Sequence, residues 1–344
     1  MTKVALVHDS VQKYRRPLFD VINDEYDTTF FLGDQRTAPD EYQTQSWNAL
    51  NIIRSLRNSD YDVVIAPEYT QRAAWWAFIG GRINDTPIIQ WTEIWNKPEW
   101  DFPTRTAASI LLRTANKFVN GYVVPGNPHA RWIIKNTLRG VNEIKIAPNA
   151  THISSKGFRE KDDSTPPKIL YFGQVIPRKG VDILVEAVGE IEQEVELIIC
   201  GGGDDEYRET LNEKAKNLGV PLDMREWIPD AEVMGVYQEG DIYAILSRAD
   251  PAPISVVEAM QAGNPVVASK TVGCAEDLIR GKGSGYVVPP ESPEATSKAL
   301  TKLLDPRRRR KMGKRAYKIA TNVATTERMF EVFDDAITSA ISEQ

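Results

Sequence analysis

The strongest constraint on this chain is an alternation. Short β-branched runs return along the sequence, and longer stretches with helical spacing lie between them. A first set is "KVALVHD" (3–9), "DTTFFLG" (27–33), "DVVIAP" (62–67), "PIIQWT" (87–92), "GYVVPG" (121–126) and "EIKIAP" (143–148). Helical patterns such as "YRRPLFDVINDE", "TQRAAWWAFIGGRI" and "TRTAASILLRTANKFV" separate them. Strands apolar on both faces, joined by helix-length connections, predict a parallel sheet covered by helices. "SSKGFREKDDSTPPK" (154–168) is polar, charged and ends in a proline pair, which reads as a linker. The alternation then restarts with "KILYFGQV" (168–175), "ELIICGGG" (196–203), "LDMREWI" (222–228), "DIYAILS" (241–247), "PVVAS" (265–269) and "GYVVP" (285–289). The tail reads as helix over 293–304, 306–321 and 325–342.

The expected fold is therefore α/β, with two Rossmann-like parallel-sheet domains, 1–153 and 165–322. With 344 residues, 42% of them hydrophobic, there is material for two cores. Open α/β sheets bind ligands outside the carboxyl ends of their strands. Two such sheets facing a cleft suit a large ligand or a pair of substrates.

A net charge of −6 argues against nucleic acid as the partner. Cys200 and Cys274 form no metal-type pair, and Cys200 ends an apolar run as a buried small residue would. The chain opens directly on a strand and has no run of eighteen apolar residues, so neither a signal peptide nor a membrane-spanning helix is expected. A reducing cytoplasm fits.

One stretch carries chemistry, "DPAPISVVEAMQAGNPVVAS" (250–269). Pro251 and Pro253 keep Asp250 on a loop. Ile254 to Gln261 suit a helix, Gly263 stops it, and "PVVAS" is a buried strand. Free N–H groups near Ile254 and Ser255 and the helix dipole favour a phosphate. Asp250 and Glu258 flank them as acceptors for hydroxyls. The same letters also describe an acidic loop before an ordinary helix. In "YFGQVIPRKG", Arg178 and Lys179 sit on a strand-to-helix turn and could neutralise a pyrophosphate or simply be solvated. "CGGGDDEY" has Glu206 where a dinucleotide fingerprint needs a third glycine, so it reads as a tight turn with Asp204 or Asp205 capping a helix.

In this order and spacing "GQVIPRKG", "ICGGGDDEY", "WIPDAEV", "DIYAILSR" and "DPAPISVVEAMQAGNPVVAS" resemble the nucleotide-sugar half of retaining GT-B glycosyltransferases, most closely the large GT4-like, group 1 family. The resemblance covers about 165–290. The first half shares only the alternation and "KIAPNA", which is similar to the family's turn before the linker. The resemblance implies a nucleotide-diphosphate sugar as donor, with UDP or GDP as carrier. Glu258 would bind the ribose and Asp250 the sugar hydroxyls. Amides at Ile254 and Ser255 would hold the diphosphate together with Lys179. Gly173 and Gln174 would belong to the donor loop, and the backbone near Trp227 and Ile228 would read the base. Lys179, Arg178 and Asp250 would carry the chemistry, with retention of configuration and with no cofactor or metal. The first domain would hold a glycan or lipid-linked acceptor, and residues 323–344 would form a helix crossing back onto it. The aromatic-rich, partly basic first half leaves peripheral membrane contact open.

Several positions depart from the family. The first acid is Asp250 rather than Glu, and Gln174 replaces a frequent Arg. The N-terminal glycine-rich loop is absent, and Glu93 in "QWTEIWN" stands where many members carry His. His8, Tyr14, Arg15, Glu93 and His129 are the candidates for the acceptor side. His152 follows the "PNA" turn as a surface residue, and each of the three histidines could equally face solvent or cap an element. "DPRRRRKMGKR" (305–315) has the look of a nucleic-acid or membrane patch, but its Pro start and the negative net charge favour a solvated basic helix. Two other classes remain open at this stage: a nucleotide-sugar epimerase of the same build, and a non-catalytic module that kept the donor site.

Overall fold

A computed structural model describes residues 1–95, 102–137, 144–153, 157–158 and 166–343. The chain divides into two compact units. Of the described residues, unit 1 takes those before Ile153 and those from Thr325 on, and unit 2 those within Ile153–Ala324.

Unit 1 holds seven strands, β1 (Lys3–Ser10), β2 (Asp27–Asp34), β3 (Gln43–Ser46), β4 (Val63–Ala66), β5 (Ile88–Trp91), β6 (Gly121–Val124) and β7 (Ile144–Ile146). Their order across the sheet is β3-β2-β1-β4-β5-β6-β7, and every pairing is parallel. The apolar runs become strands because both faces are covered. One face packs on helices Ala49–Asn58, Arg72–Ile83, Phe102–Ala115 and Asn127–Asn136 through Ile52, Phe78, Leu112 and Ile133. The other packs on helices Arg16–Glu25 and Thr326–Ser342 through Phe19, Met329 and Phe333. Trp75 and Trp76 are both partly buried against the first of these cores.

Unit 2 holds β8 (Lys168–Phe172), β9 (Glu196–Cys200), β10 (Leu222–Arg225), β11 (Ile242–Ile245), β12 (Val266–Ser269) and β13 (Gly285–Val288). All are parallel, in the order β10-β9-β8-β11-β12-β13. This is the doubly wound Rossmann order, whose switch point falls between β8 and β11.

The differences from the expected elements have local causes. β8 ends at Phe172 and β9 at Cys200 because Gly173 and Gly201 take φ of 150° and 140°. A Cβ on Gly201 would lie 2.0 Å from the Gly173 carbonyl oxygen, so the two strand ends close together only with glycine there. Asp204, not Asp205, caps the next helix, its side chain accepting from the Tyr207 N–H at 2.8 Å. The basic helix, Pro306–Val323, is not wholly solvated. Arg309 is buried and donates to the carbonyls of Leu303 and Leu304 at 3.3 and 3.0 Å, capping the helix before it. Most of the expected linker lies outside the described residues.

Candidate active site

At the switch point of unit 2, the loop after β8 meets the loop after β11. Pro177–Lys179 form a single 3-10 turn closed by Gly180, which adopts φ 65° and ψ 30°. A side chain at Gly180 would meet the Leu246 carbonyl oxygen at 2.2 Å, so glycine lets this basic turn press against the end of β11. The contact is continued by the Arg248 N–H donating to the Arg178 carbonyl at 2.8 Å and by Arg178 Nη1 donating to the Ala249 carbonyl at 2.7 Å. Arg248 itself is held by a forked pair with Asp182, at 3.0 and 2.9 Å.

The result is an ion pair that the sequence does not announce. Lys179 Nζ lies 2.5 Å from Asp250 Oδ2, with both side chains largely buried. Asp250 is fixed by its backbone, which exchanges bonds with Thr271 and Gly273 at 3.1 and 2.8 Å. The Ser247 hydroxyl donates to the same carboxylate oxygen at 3.4 Å. Arg178 and Gln174 are exposed, Gly173 and Ile228 are half-buried, and Trp227 is exposed with its edge against Phe172.

Helix Ile254–Gln261 starts after Pro253 with no side-chain cap, and Ile254 and Ser255 in its first turn are half-buried. Glu258, one turn in, is buried, and its Oε2 accepts from the Tyr237 hydroxyl at 2.8 Å. Burial and the neighbouring Glu258 carboxylate push the Tyr237 phenol well above its ordinary value, so it stays a donor. Tyr237 escapes the sequence reading. It lies beyond the "WIPDAEV" stretch, in the second half of a helix that no motif covers there, and only the packing of Asp230–Glu239 against Ile254–Gln261 brings it to Glu258.

Unit 1 has its own site at its own switch point. His8 lies in β1 two residues before its end, Glu68 and Gln71 follow β4, and Glu93 follows β5. With Asp9, Gln12, Tyr14, Arg15, Pro67 and Trp91 they line a hollow of about 250 Å³. Arg15 organises it. Its Nη1 bonds His8 Nε2, its Nη2 donates to Glu93 Oε1 at 3.0 Å, and its guanidinium lies 4.5 Å from the centre of the Trp91 ring. Asn149, from the "PNA" turn, donates to the same Glu93 oxygen at 3.0 Å. Burial lowers the pKa of His8, while the bond to Asp9 opposes this. Its Nδ1 lies 2.9 Å from the Ser10 carbonyl, which fits a neutral ring protonated at Nδ1 and accepting from Arg15 at Nε2. Four of the five acceptor-side candidates, His8, Tyr14, Arg15 and Glu93, thus share one hollow. His129 does not line it. It is fully buried, stacked on Trp95 at 5.9 Å, and burial takes its pKa down to about 4. Neither His8 nor His129 faces solvent, and His152 is half-buried rather than on the surface. Asn149, Gln71 and Trp91 escape the sequence reading because strand ends far apart in sequence bring them together.

Among the described residues there is no cluster of three or more His, Cys, Asp or Glu side chains that could hold a metal, and no helix long and apolar enough to cross a membrane.

Two Rossmann-like parallel-sheet units with these sites define a protein of the GT-B fold class. HepE from Anabaena, solved in complex with UDP, superposes with a TM-score of 0.80 over 98% of this chain and 100% of its own, at 17% identity. Residues 154–319, most of unit 2, match the family described as Glycosyl transferases group 1. Among curated relatives, D-inositol 3-phosphate glycosyltransferase of Corynebacterium glutamicum is 29% identical over 212 residues, 58% of this chain and 50% of that protein. The GDP-mannose-dependent alpha-(1-6)-phosphatidylinositol monomannoside mannosyltransferase of Mycolicibacterium smegmatis is 34% identical over 160 residues, 43% of this chain and 41% of that protein. The chain spans about half the length of the curated relatives it matches.

Proposed function

We propose that this chain is a glycosyltransferase that moves a sugar from a nucleotide-diphosphate sugar, carried on UDP or GDP, to a glycan or lipid-linked acceptor with retention of configuration. The observation that carries this reading is the Lys179–Asp250 pair at the switch point of unit 2, beside an uncapped helix start and the buried Glu258. The relatives support the donor class: one is named for GDP-mannose, and HepE was solved with UDP. Lys179 supplies the positive charge for the leaving diphosphate, with the N–H groups at Ile254 and Ser255 and the exposed Arg178. Glu258 accepts from the ribose, oriented by Tyr237. Asp250 exchanges its bond to Lys179 for bonds to the sugar hydroxyls when the diphosphate arrives.

Thermal shift and calorimetry against UDP, GDP, ADP and their sugars test the proposal. A carrier at about a hundred times its Kd should add about 2.7 kcal/mol to stability. Lys179→Ala should lower that carrier's affinity at least tenfold. No stabilisation by any carrier, or an unchanged affinity in the variant, rejects the site. Conversion of the sugar nucleotide without an acceptor would turn the reading to an epimerase.

The finer setting is a cytoplasmic enzyme working at an anionic membrane face. Support comes from three helices on one side of unit 1, Ala49–Asn58, Arg72–Ile83 and Phe102–Ala115. Their sequences contain Arg54, Arg57, Arg72, Arg82, Arg105 and Arg113 but no Asp or Glu, in a chain whose acids outnumber its bases. Asp60 and Asp85 return only in the loops. Leu50, Ile79, Ile83, Ile110 and Leu111 on these helices are exposed. A basic side chain close to an anionic surface contributes about 1 kcal/mol. Sedimentation with phosphatidylglycerol vesicles should capture the protein, and phosphatidylcholine vesicles should not. The triple change Arg54→Glu, Arg57→Glu, Arg82→Glu should cut capture several-fold; equal capture by both vesicles, or no loss in the variant, rejects this setting.

A further inference from the structure

The hollow of unit 1 has a composition that selects a chemical class of ligand. Among the described residues its acidic lining is Asp9, Glu68 and Glu93, against a single cationic side chain, Arg15. Arg15 is already committed. One nitrogen is on His8, another is on Glu93 at 3.0 Å, and the plane lies over Trp91. Its Nε is buried and has no partner among the described residues, so with both Nη atoms taken no two-pronged fork is open to grip a phosphate. His8 does not replace it, because burial favours its neutral ring and Nε2 already faces Arg15. Lys13 and Arg16, the nearest cations in sequence, are not among the lining residues. The hollow is also rich in acceptors. Besides the carboxylates, Gln71 Oε1 is buried and accepts no hydrogen bond among the described residues. A buried acceptor left unpaired costs free energy that a donor would recover.

We infer that this hollow takes a neutral, hydroxyl-rich acceptor and turns away the phosphate monoester of the same compound. The inference rests on the transferase reading above and names the acceptor class for it. Each hydroxyl of a sugar or cyclitol brings a proton that Gln71, Glu68 or Glu93 can accept, and a lone pair that Tyr14 or Gln12 can meet. A phosphate dianion brings no donor and meets three carboxylates.

The test uses the full chain and paired probes: methyl α-mannoside, methyl α-glucoside and myo-inositol, each beside its phosphate monoester. Ligand-observed NMR, without donor, reads binding to the wild type and to Glu68→Gln and Gln71→Ala. At least one neutral probe should bind, at least tenfold more tightly than its phosphate partner, and either substitution should weaken it severalfold. Glu68→Lys should narrow the preference by admitting the phosphate ester. Equal or tighter binding of the phosphate ester, no binding by any neutral probe, or binding indifferent to both substitutions overturns the inference. Nucleoside diphosphate titrations of the same wild-type preparation separate the two readings. Absent carrier binding sinks the transferase proposal, whereas carrier binding without selectivity for neutral probes sinks this inference alone.

Discussion

Lys179 and Asp250 neutralise one another in the free protein, and this shapes what each substitution should do. Both groups are largely withdrawn from water, so removing one leaves the other charged and poorly solvated. Asp250→Asn frees Lys179 for an incoming diphosphate. It should leave affinity for the bare carrier equal or higher, while sugar-nucleotide turnover falls at least tenfold. Glu258→Gln acts on the other half of the ligand. It keeps the shape but loses charge-assisted bonds worth roughly 1.5–3 kcal/mol, so affinity for the bare carrier should fall about tenfold or more. Calorimetry of both variants with the carrier and with its sugar form decides. Parallel losses for the bare carrier would show that the acids do not divide sugar from ribose. The two acids and the lysine were legible in the sequence because Asp250 and Glu258 flank a helix start, Lys179 sits on a strand-to-helix turn, and the stretches that hold them resemble a known family. Their pairing was not, since it joins residues 71 positions apart.

At the scale of elements, the basic turn depends on one backbone position. Gly180 has positive φ and also lies against the Leu246 carbonyl. Gly219, after helix Asp205–Leu218, has nearly the same φ of 69°, but a Cβ there would meet nothing within 4 Å. Gly219→Ala should thus cost only the left-handed penalty, about 1 kcal/mol. Gly180→Ala should cost clearly more, about 2–3 kcal/mol, and should weaken carrier binding by moving Lys179 away from β11. Denaturant melts of the pair check this; equal losses would mean that the close approach is relaxed at no cost. The strand β3 shows the opposite limit of sequence reasoning. "QTQS" has no apolar run, because it lies at the sheet edge and pairs only with β2, through Thr29↔Gln43 to Leu32↔Ser46. An edge strand needs neither a two-sided apolar surface nor a β-branched run, so periodicity passes over it.

At the scale of the molecule, stability acquires a pH dependence from a group outside both sites. His129 is buried and its pKa falls to about 4 from 6.5. Below pH 6.5 the unfolded chain takes up a proton that the folded chain refuses, so stability declines as pH falls from 6.5 towards 4. The full effect is on the order of 3 kcal/mol. His129→Phe should flatten the decline of the melting free energy between pH 6.5 and 4. An unchanged slope would place the titration elsewhere, His8 being the next candidate because its pKa is lowered as well.

Much was determined by the sequence alone. Alternating apolar runs and helical spacings specify parallel strands, and a proline-bracketed loop before a helix places Asp250 and Glu258 at a helix start whatever lies around them. These are properties of neighbours, set by backbone sterics and local burial. Tertiary structure decided what depends on distance through space. It gave both sheets their order, with a switch point in each, and it joined Lys179 to Asp250 and Tyr237 to Glu258. It also gathered His8, Arg15, Glu93 and Asn149 from three separate strand ends into one bonded group. The physical reason is that a parallel sheet brings the carboxyl ends of strands distant in sequence to one edge, and no local pattern encodes which side chains meet there.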